Sequence, residues 1–456
     1  MTPRLALLLL AAPAALDAQS AAGLTLSEAV ETALRNYPAI RMADERTQAA
    51  AAAISLARTA YLPRVDALAQ ANRATRNNVF GMLLPQSVIP SMSGPVLGSD
   101  NLGTAWGSAI GVLATWEPFD FGLRQAGVEA SIAERRHAEA TRKRTEFEVA
   151  AATADAFLTL AAAEDTAQAA QAAVDRAEVT LRTAAALVTA ELRPGADRSR
   201  AEAELAAART LAIQARQAIE VARVTVAQFT GLETARISLA APSLSQLPEP
   251  RPEPPPPIAA NPIAAEQEAA VEREAARLHA LERAWFPRFY LQGAAYARGA
   301  GAETNGVNLG GLNGLAPNTQ DYALGFTVVF PAMEKRAAQA RKAVQSANLR
   351  AEQARARQIA ADLRAQWERA VASLDGATRI AGNTPTEVTA ARAALDQARA
   401  RYESGLGPID PVAEAQRLLA QAEIDNALAR LGVWRGLLAV ATAAGDIRPF
   451  VAEVGR

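Results

Sequence analysis

The segment Tyr322-Ala323-Leu324-Gly325-Phe326-Thr327-Val328-Val329-Phe330-Pro331 sets large apolar residues (Tyr322, Leu324, Phe326, Val328, Phe330) against Ala323, Gly325, Thr327 and Val329. A period of two predicts a β-strand over 322–330, and Pro331, which has no N–H, closes it. Working outward, a Gly/Asn-rich loop from about Ala297 to Gln320 joins it to an earlier strand over 288–296. That strand follows a helix opened by Asn261-Pro262 and ended by Trp285-Phe286-Pro287. Beyond Pro331 a long helical region runs from Met333.

The same order of elements is written once before. Thr25-Leu26-Ser27-Glu28 has the form of a capping box, and the helix it opens passes Asn36-Tyr37-Pro38 with at most a kink or restart. Tyr61-Leu62-Pro63 ends it, and the proline pairs Pro38/Pro63 and Pro262/Pro287 have the same separation. A strand over 63–73 follows, with Val65, Ala67, Ala69 and Ala71 on one side, then a loop from about Ala74 to Gly103. The strand over 104–116 carries Trp106, Ile110, Val112, Ala114 and Trp116 opposite Ala105, Gly107, Ala109 and Gly111, and Glu117-Pro118 turns it into another long helix. The chain is therefore a tandem duplication. Residues 19–247 form the first repeat and 262–445 the second. A proline-rich linker over 248–261 joins them, and 446–456 remain as a tail.

From Leu123 to Leu192 there is no proline, and a continuous helix of that length would span roughly 100 Å. Its tip is expected near 193–197, after which a second helix returns to about Gly231. The second copy descends from Met333 to Ser404, weakened at Gly382-Asn383-Thr384-Pro385, bends near 405–410 and ascends from Asp410. Leu205, Ala208, Ala212, Ala215, Ile219, Ala222, Val226 and Phe229 step by three and four, as do Ala420, Ile424, Ala427, Leu431, Trp434, Leu438 and Ala441. Such seams mean coiled-coil packing.

Composition narrows the function. Among 456 residues, 47 Lys+Arg balance 48 Asp+Glu, so no nucleic-acid partner is expected. Only 5% of residues are aromatic, which suits closely packed alanine-rich helices better than a thick globule. Cysteine is absent, and His137 and His279 read as solvated helix-face residues. No phosphate loop, nucleophile elbow or zinc set is present, so neither an enzyme nor a cofactor is expected. Met1-Thr2-Pro3-Arg4, the apolar run Leu5 to Leu16 and Asp17-Ala18 read as a signal peptide over 1–18. No other segment approaches the 18 consecutive apolar residues of a spanning helix, so membrane insertion would have to use β-strands.

Four strands cannot close a transmembrane barrel, because single-chain barrels begin at about eight strands and open edges in lipid strand polar backbone groups. Three chains would supply twelve. The other reading is a soluble periplasmic coiled-coil adaptor or structural protein, with the strands in a small β-domain.

Several stretches carry a resemblance, in their order and spacing, to the TolC-like outer membrane efflux proteins. They are Leu24-Thr25-Leu26-Ser27-Glu28-Ala29-Val30 with Asn36-Tyr37-Pro38, the strand start at Leu62-Pro63, the repeated helix-strand-strand-helix unit, and Tyr402-Glu403-Ser404-Gly405 followed by Asp410 and Ala415-Gln416. Asp197-Arg198-Ser199-Arg200-Ala201-Glu202-Ala203-Glu204 is similar to the matching stretch of the first repeat. The fold class implied is mostly α with transmembrane β: long coiled-coil hairpins and four membrane strands per chain, assembled as a homotrimer whose 12-stranded β-barrel sits on an α-barrel. The resemblance also implies an outer-membrane location in a Gram-negative bacterium, a reach into the periplasm, and passive export. The partners it implies are a periplasmic adaptor (membrane fusion) protein and an inner-membrane pump or ABC transporter, as in tripartite efflux or type I secretion.

The family's periplasmic aperture carries aspartates close after the tip glycine. Asp410 matches the first if one residue is deleted here; Ala413 falls at the spacing of the second, with Glu414 beside it. Tyr402 matches a tyrosine that holds the aperture shut, whereas Gly407 stands where its arginine partner would be. From the residues alone, Asp197 and Asp410 stand where ascending helices begin, either as N-caps or lining a pore. Leu192, Arg193, Pro194 and Gly195, with Gly405, Leu406, Gly407 and Pro408, form tips for an adaptor, or plain turns. Trp106, Trp116, Tyr290, Tyr296, Tyr322 and Phe330 flank the strands as an aromatic girdle toward outer-membrane lipid.

Overall fold

The computed structural model describes residues 23–75, 103–248, 257–303, 307–331 and 334–455. The expected leader, most of the loop after the first strand, Met333 and residues 249–256 of the linker lie outside the described residues. Helix α1 (Leu26–Asn36) has the expected capping box: Thr25 Oγ1 accepts from the Glu28 amide at 3.3 Å and Glu28 Oε2 accepts from the Thr25 amide at 3.0 Å. Tyr37 is extended, and α2 (Pro38–Thr59) restarts with proline at its first position, where the missing N–H costs nothing.

The strands are β1 (Arg64–Thr75), β2 (Thr104–Phe119), β3 (Arg288–Ala300) and β4 (Thr319–Val329), each longer than the alternation in sequence indicated. They form one antiparallel sheet in the order β1-β2-β3-β4. Glu117-Pro118 does not end β2 as expected. A register shift between Trp116 and Phe119 bulges the strand there, and a bulge tolerates a residue that cannot donate to the ladder. Gly314 in the loop after β3 has φ +94, and a Cβ there would strike the Trp106 carbonyl and the Gly301 amide, so the loop lies closely against β2.

The long helices are α3 (Leu123–Thr189), α4 (Gly195–Thr230), α6 (Lys335–Glu403) and α7 (Asp410–Ala444); α5 (Pro262–Arg283) precedes β3. The weakening expected at Gly382-Asn383-Thr384-Pro385 does not interrupt α6. Ala381 and Thr384 are buried on either side of the break, and Thr384 Oγ1 donates to Asn426 Oδ1 at 2.9 Å, so packing on α7 overrides the local cost of Pro385. The expected tail is also structured: α8 (Arg448–Val454) buries Phe450 and Val454.

The chain packs as two units. One comprises Met1–Ile40, Thr145–Asn261 and Asp362–Arg456. Its main core joins Leu26 and Val30 of α1, Phe157 and Leu158 of α3, Leu431, Trp434 and Leu438 of α7, and Phe450 of α8. Along the expected seam of α4, Leu205, Ala212 and Ala215 pack on Ala170, Val174 and Ala177 of α3. By length and composition alone α7 is apolar enough to cross a membrane, contrary to expectation, yet its Leu419, Leu431, Val433, Trp434 and Leu438 are buried within this unit.

The other unit, Arg41–Arg144 with Pro262–Ala361, holds the sheet. Its α5 and α6 are joined by a polar ladder one heptad apart. Gln267 Nε2 donates to Glu352 Oε2 and Gln345 Nε2 to Glu274 Oε2, each at 2.6 Å. His137 is half-buried rather than solvated, with its Nδ1 3.2 Å from Arg273, and burial lowers its pKa.

Phe157 has no exposed surface, and its ring anchors the core of the first unit. Phe157→Ala should therefore cost about 3–5 kcal/mol, read as a lowered urea midpoint or melting temperature.

Candidate functional site

The strand register sorts the sheet into two chemically distinct faces. Opposed across the ladders on one face are Val65, Ala67 and Ala69 of β1, Ile110, Val112, Ala114 and Trp116 of β2, Leu291, Gly293 and Ala295 of β3, and Tyr322, Leu324 and Phe326 of β4. It is apolar and open: Tyr322 is 89% exposed, Leu324 78% and Phe326 63%. The opposite face carries Arg64, Asp66, Gln70, Gln292, Arg298 and Asp321, with Arg298 Nε 2.9 Å from Asp321 Oδ2.

This register corrects the expected girdle. Trp106, Trp116 and Tyr322 share the apolar face, and Phe330, just past β4, is 68% exposed. Tyr290 and Tyr296 belong to the opposite face, each one step out of phase with Leu291 and Ala295; Tyr296 is buried beside Leu113. The side on which an aromatic near a strand end lies is decided by strand pairing, which composition does not carry. A ring cluster not expected from the sequence lies at the end of the sheet where the helices begin. Phe119 and Phe121 meet at 4.7 Å, Phe121 and Phe286 at 5.3 Å, Trp285 and Phe286 at 4.9 Å, and Phe289 and Phe326 at 6.0 Å. The signal lay in Phe119-Asp120-Phe121 and Trp285-Phe286, which the sequence reading used only as turn markers.

The two hairpin tips are built from one turn used twice. The Leu192 amide donates to the Leu187 carbonyl and the Leu406 amide to the Arg401 carbonyl, each at 2.9 Å, around residues with positive φ, Glu191 (59°) and Gly405 (79°). This six-to-one bond over a left-handed residue is the Schellman closure of a helix. In this equivalence Leu192 matches Leu406, Arg193 matches Gly407 and Pro194 matches Pro408. Leu192 and Leu406 are 69% and 74% exposed.

Neither aspartate is an N-cap. The caps are Pro194 and Ile409, with no side-chain bond; Asp197 is the third residue of α4 and Asp410 the first of α7. Asp197 is buried, and its Oδ2 accepts from the Tyr402 hydroxyl at 3.1 Å. Arg193 covers the Tyr402 ring at 4.7 Å and donates to the Tyr402 carbonyl at 2.8 Å. The arginine that meets Tyr402 therefore stands in the first tip, at the place equivalent to Gly407 in the second. A partly exposed cation over a ring contributes about 1 kcal/mol, and with its hydrogen bond it helps fasten the two hairpins of one chain together. The Asp410 carboxylate is 73% exposed, 3.7 Å from Arg200, which also meets Glu204 at 3.4 Å. Glu414 is exposed, while Ala413 is buried. Among the described residues no group of three or more His, Asp and Glu side chains could hold a metal ion.

Burial, with the hydrogen bond to Asp197 and its charge, pushes the Tyr402 hydroxyl up to about 12. A pKa raised on folding stabilises the neutral form, so this contribution is complete below the ordinary tyrosine value near 10 and disappears as pH rises through about 12. An ultraviolet tyrosinate titration should show a late component near pH 12, and Asp197→Asn should shift that component to lower pH.

Residues 29–232 match the family of outer membrane efflux proteins. No curated protein sequence matches the chain. Among solved structures it is similar to the open state of the MtrE outer membrane channel of Neisseria gonorrhoeae (20% identity, TM-score 0.71, covering 92% of this chain and 89% of that one). It is also similar to VceC of Vibrio cholerae (17%, 0.71, 92% and 96%) and to the CmeC outer membrane channel of Campylobacter jejuni (14%, 0.74, 92% and 85%). Residues 29–232 carry the sequence of the outer membrane efflux protein family, and the described chain as a whole carries the fold of its channels.

Proposed function

We propose that the chain acts as a homotrimeric channel-tunnel that passively conducts substrates handed to it by a periplasmic adaptor and an energised inner-membrane pump or ABC transporter. The observation that carries this is the four-stranded sheet with one open apolar face and outer strands β1 and β4 that each have a single partner. Three copies supply twelve strands, enough to close a barrel and leave no edge in lipid. The apolar face then meets hydrocarbon and the polar face lines the water path. A soluble adaptor would leave Tyr322, Leu324 and Phe326 in water, which disfavours that reading.

In the trimer the hairpin tips form the periplasmic aperture. Asp410, repeated by the threefold axis, makes a ring of carboxylates with Glu414 beside it, while Tyr402 and Asp197 hold the two hairpins of each chain in register. Leu192, Arg193, Pro194 and Gly195, with Gly405, Leu406, Gly407 and Pro408, present the turns to the adaptor; Leu192 and Leu406 are the exposed apolar contacts. No bond of the cargo is made or broken, and the direction of transport comes from the partner.

The test is assembly and conductance of the purified protein. A trimer in mild detergent that conducts ions across planar bilayers, and is blocked from the periplasmic side by a trivalent cation such as hexamminecobalt, is expected. Asp410→Ala should weaken that block about tenfold or more while leaving the open conductance intact. A monomer without conductance overturns the channel; unchanged block in Asp410→Ala removes that residue from the aperture.

A further inference from the structure

Where α5 ends and α6 begins lies a groove of 410 Å³, lined among others by Leu281, Arg283, Trp285, Phe286, Lys335 and Lys342. Its walls differ in chemistry. One is aromatic: Trp285 is 55% exposed and contacts Phe286 at 4.9 Å. The other is basic, lined by Arg283, Lys335 and Lys342 with one carboxylate, Glu282. That carboxylate is already paired with a lysine and approached by an imidazole. Lys342 Nζ lies 2.6 Å from Glu282 Oε1, and His279 Nδ1 is 3.8 Å from its other oxygen. The Lys342 hydrogen bond holds the Glu282 carboxyl below its usual range, with Arg283 adding to the effect. Half of the Lys342 side chain still faces solvent, so the groove keeps an excess of positive charge with room for an anion.

The aromatic wall does not stop at the groove. Phe286 contacts Phe121, Phe121 contacts Phe119 and Phe289, and Phe289 contacts Phe326, which is 63% exposed on the apolar face of the sheet. An unbroken file of rings leads from the basic rim onto the surface read above as lipid-facing. A free anion has no use for the rings, and a purely apolar ligand has none for the lysines. An amphiphile with an anionic head and a hydrocarbon tail satisfies both walls. Basic side chains and tryptophan beside an apolar band are how proteins engage charged headgroups.

We propose that this groove binds an anionic phospholipid of the adjoining leaflet. Lys335, Lys342 and Arg283 hold its phosphate, while Trp285 and Phe286 take the start of an acyl chain. The proposal rests on the apolar face of the sheet being immersed in lipid.

Tryptophan quenching by brominated lipids tests it on the full chain reconstituted in phosphatidylethanolamine bilayers. The emission of Trp285 is obtained by difference from Trp285→Phe, and that of Trp116, on the apolar face, from Trp116→Phe. Brominated phosphatidylglycerol should quench Trp285 at about a fivefold lower mole fraction than brominated phosphatidylethanolamine, the factor expected for one to two screened basic contacts. Lys335→Gln with Lys342→Gln should bring the two lipids to near parity. High salt should do the same in the unaltered protein, which keeps the test valid if the double variant fails to assemble. Equal quenching of Trp285 by the two lipids in the unaltered protein would overturn the proposal, as would a preference that neither salt nor the double substitution reduces. Relief of quenching by inorganic phosphate would assign the groove to a soluble anion instead. Trp116 separates the two readings. Its quenching by either lipid without headgroup preference at Trp285 defeats only the lipid site, whereas no quenching of Trp116 defeats the membrane reading itself.

Discussion

An open sheet in oil is forbidden, and in the proposed channel that prohibition organises the whole chain. The ladder β1-β2-β3-β4 satisfies its interior backbone groups but leaves two rims, and no described segment of the same chain covers either of them. The side chains divide the sheet by polarity, with Tyr322, Leu324 and Phe326 open on one face and Arg298 paired to Asp321 on the other. In the proposed trimer, shared closure with identical copies answers both problems, and the long helices inherit the symmetry that the strands impose.

The helical part obeys a second constraint, close approach. Alanine dominates the α3–α4 seam at Ala170, Ala177, Ala212 and Ala215, and small side chains let long helices run together without large aromatic cores. Bulk is concentrated where short elements must be anchored, as with Phe157, Trp434 and Phe450 beside α1 and α8. The tips add a polar fastening at the far end of the hairpins. Arg193 from one tip lies over Tyr402 of the other, and Tyr402 in turn binds Asp197, so each chain couples its own two hairpins by a short series of contacts that cross between the repeats. A channel whose hairpins move together or apart would have to break these contacts first.

Much of this was legible in the residues, and the failures share a cause. The strands, the duplication, the hairpins and the seams are periodic features, and periodicity survives in a single sequence. Glu117-Pro118 was misread because the bulge that tolerates proline is a property of strand pairing with β3. Pro385 was misread because Thr384 finds its partner 42 positions away in Asn426. Tyr290 and Tyr296 were assigned to the wrong side of the sheet because their composition was considered without their register. At the tips, Asp197 and Asp410 were weighed as caps from their position alone, and only the fold shows Asp197 bonded to a residue of the other repeat. The family resemblance brought Tyr402 into view, but the arginine that serves it, Arg193, comes from the repeat where that resemblance gave no reason to look.

The repeated turn has a consequence for how such a chain can change over time. Counted from Pro118, near the end of β2, and Pro331, just past β4, the left-handed residue arrives 73 positions later in the first copy (Glu191) and 74 later in the second (Gly405). The connections between paired strands are far less equal, spanning 76–103 in the first copy and 301–318 in the second. Insertions and deletions have therefore been absorbed at the hairpin loops of the sheet and almost nowhere along the rods. A change in rod length in one copy alone would put its tip out of step with the other, so the two hairpins can lengthen or shorten only together.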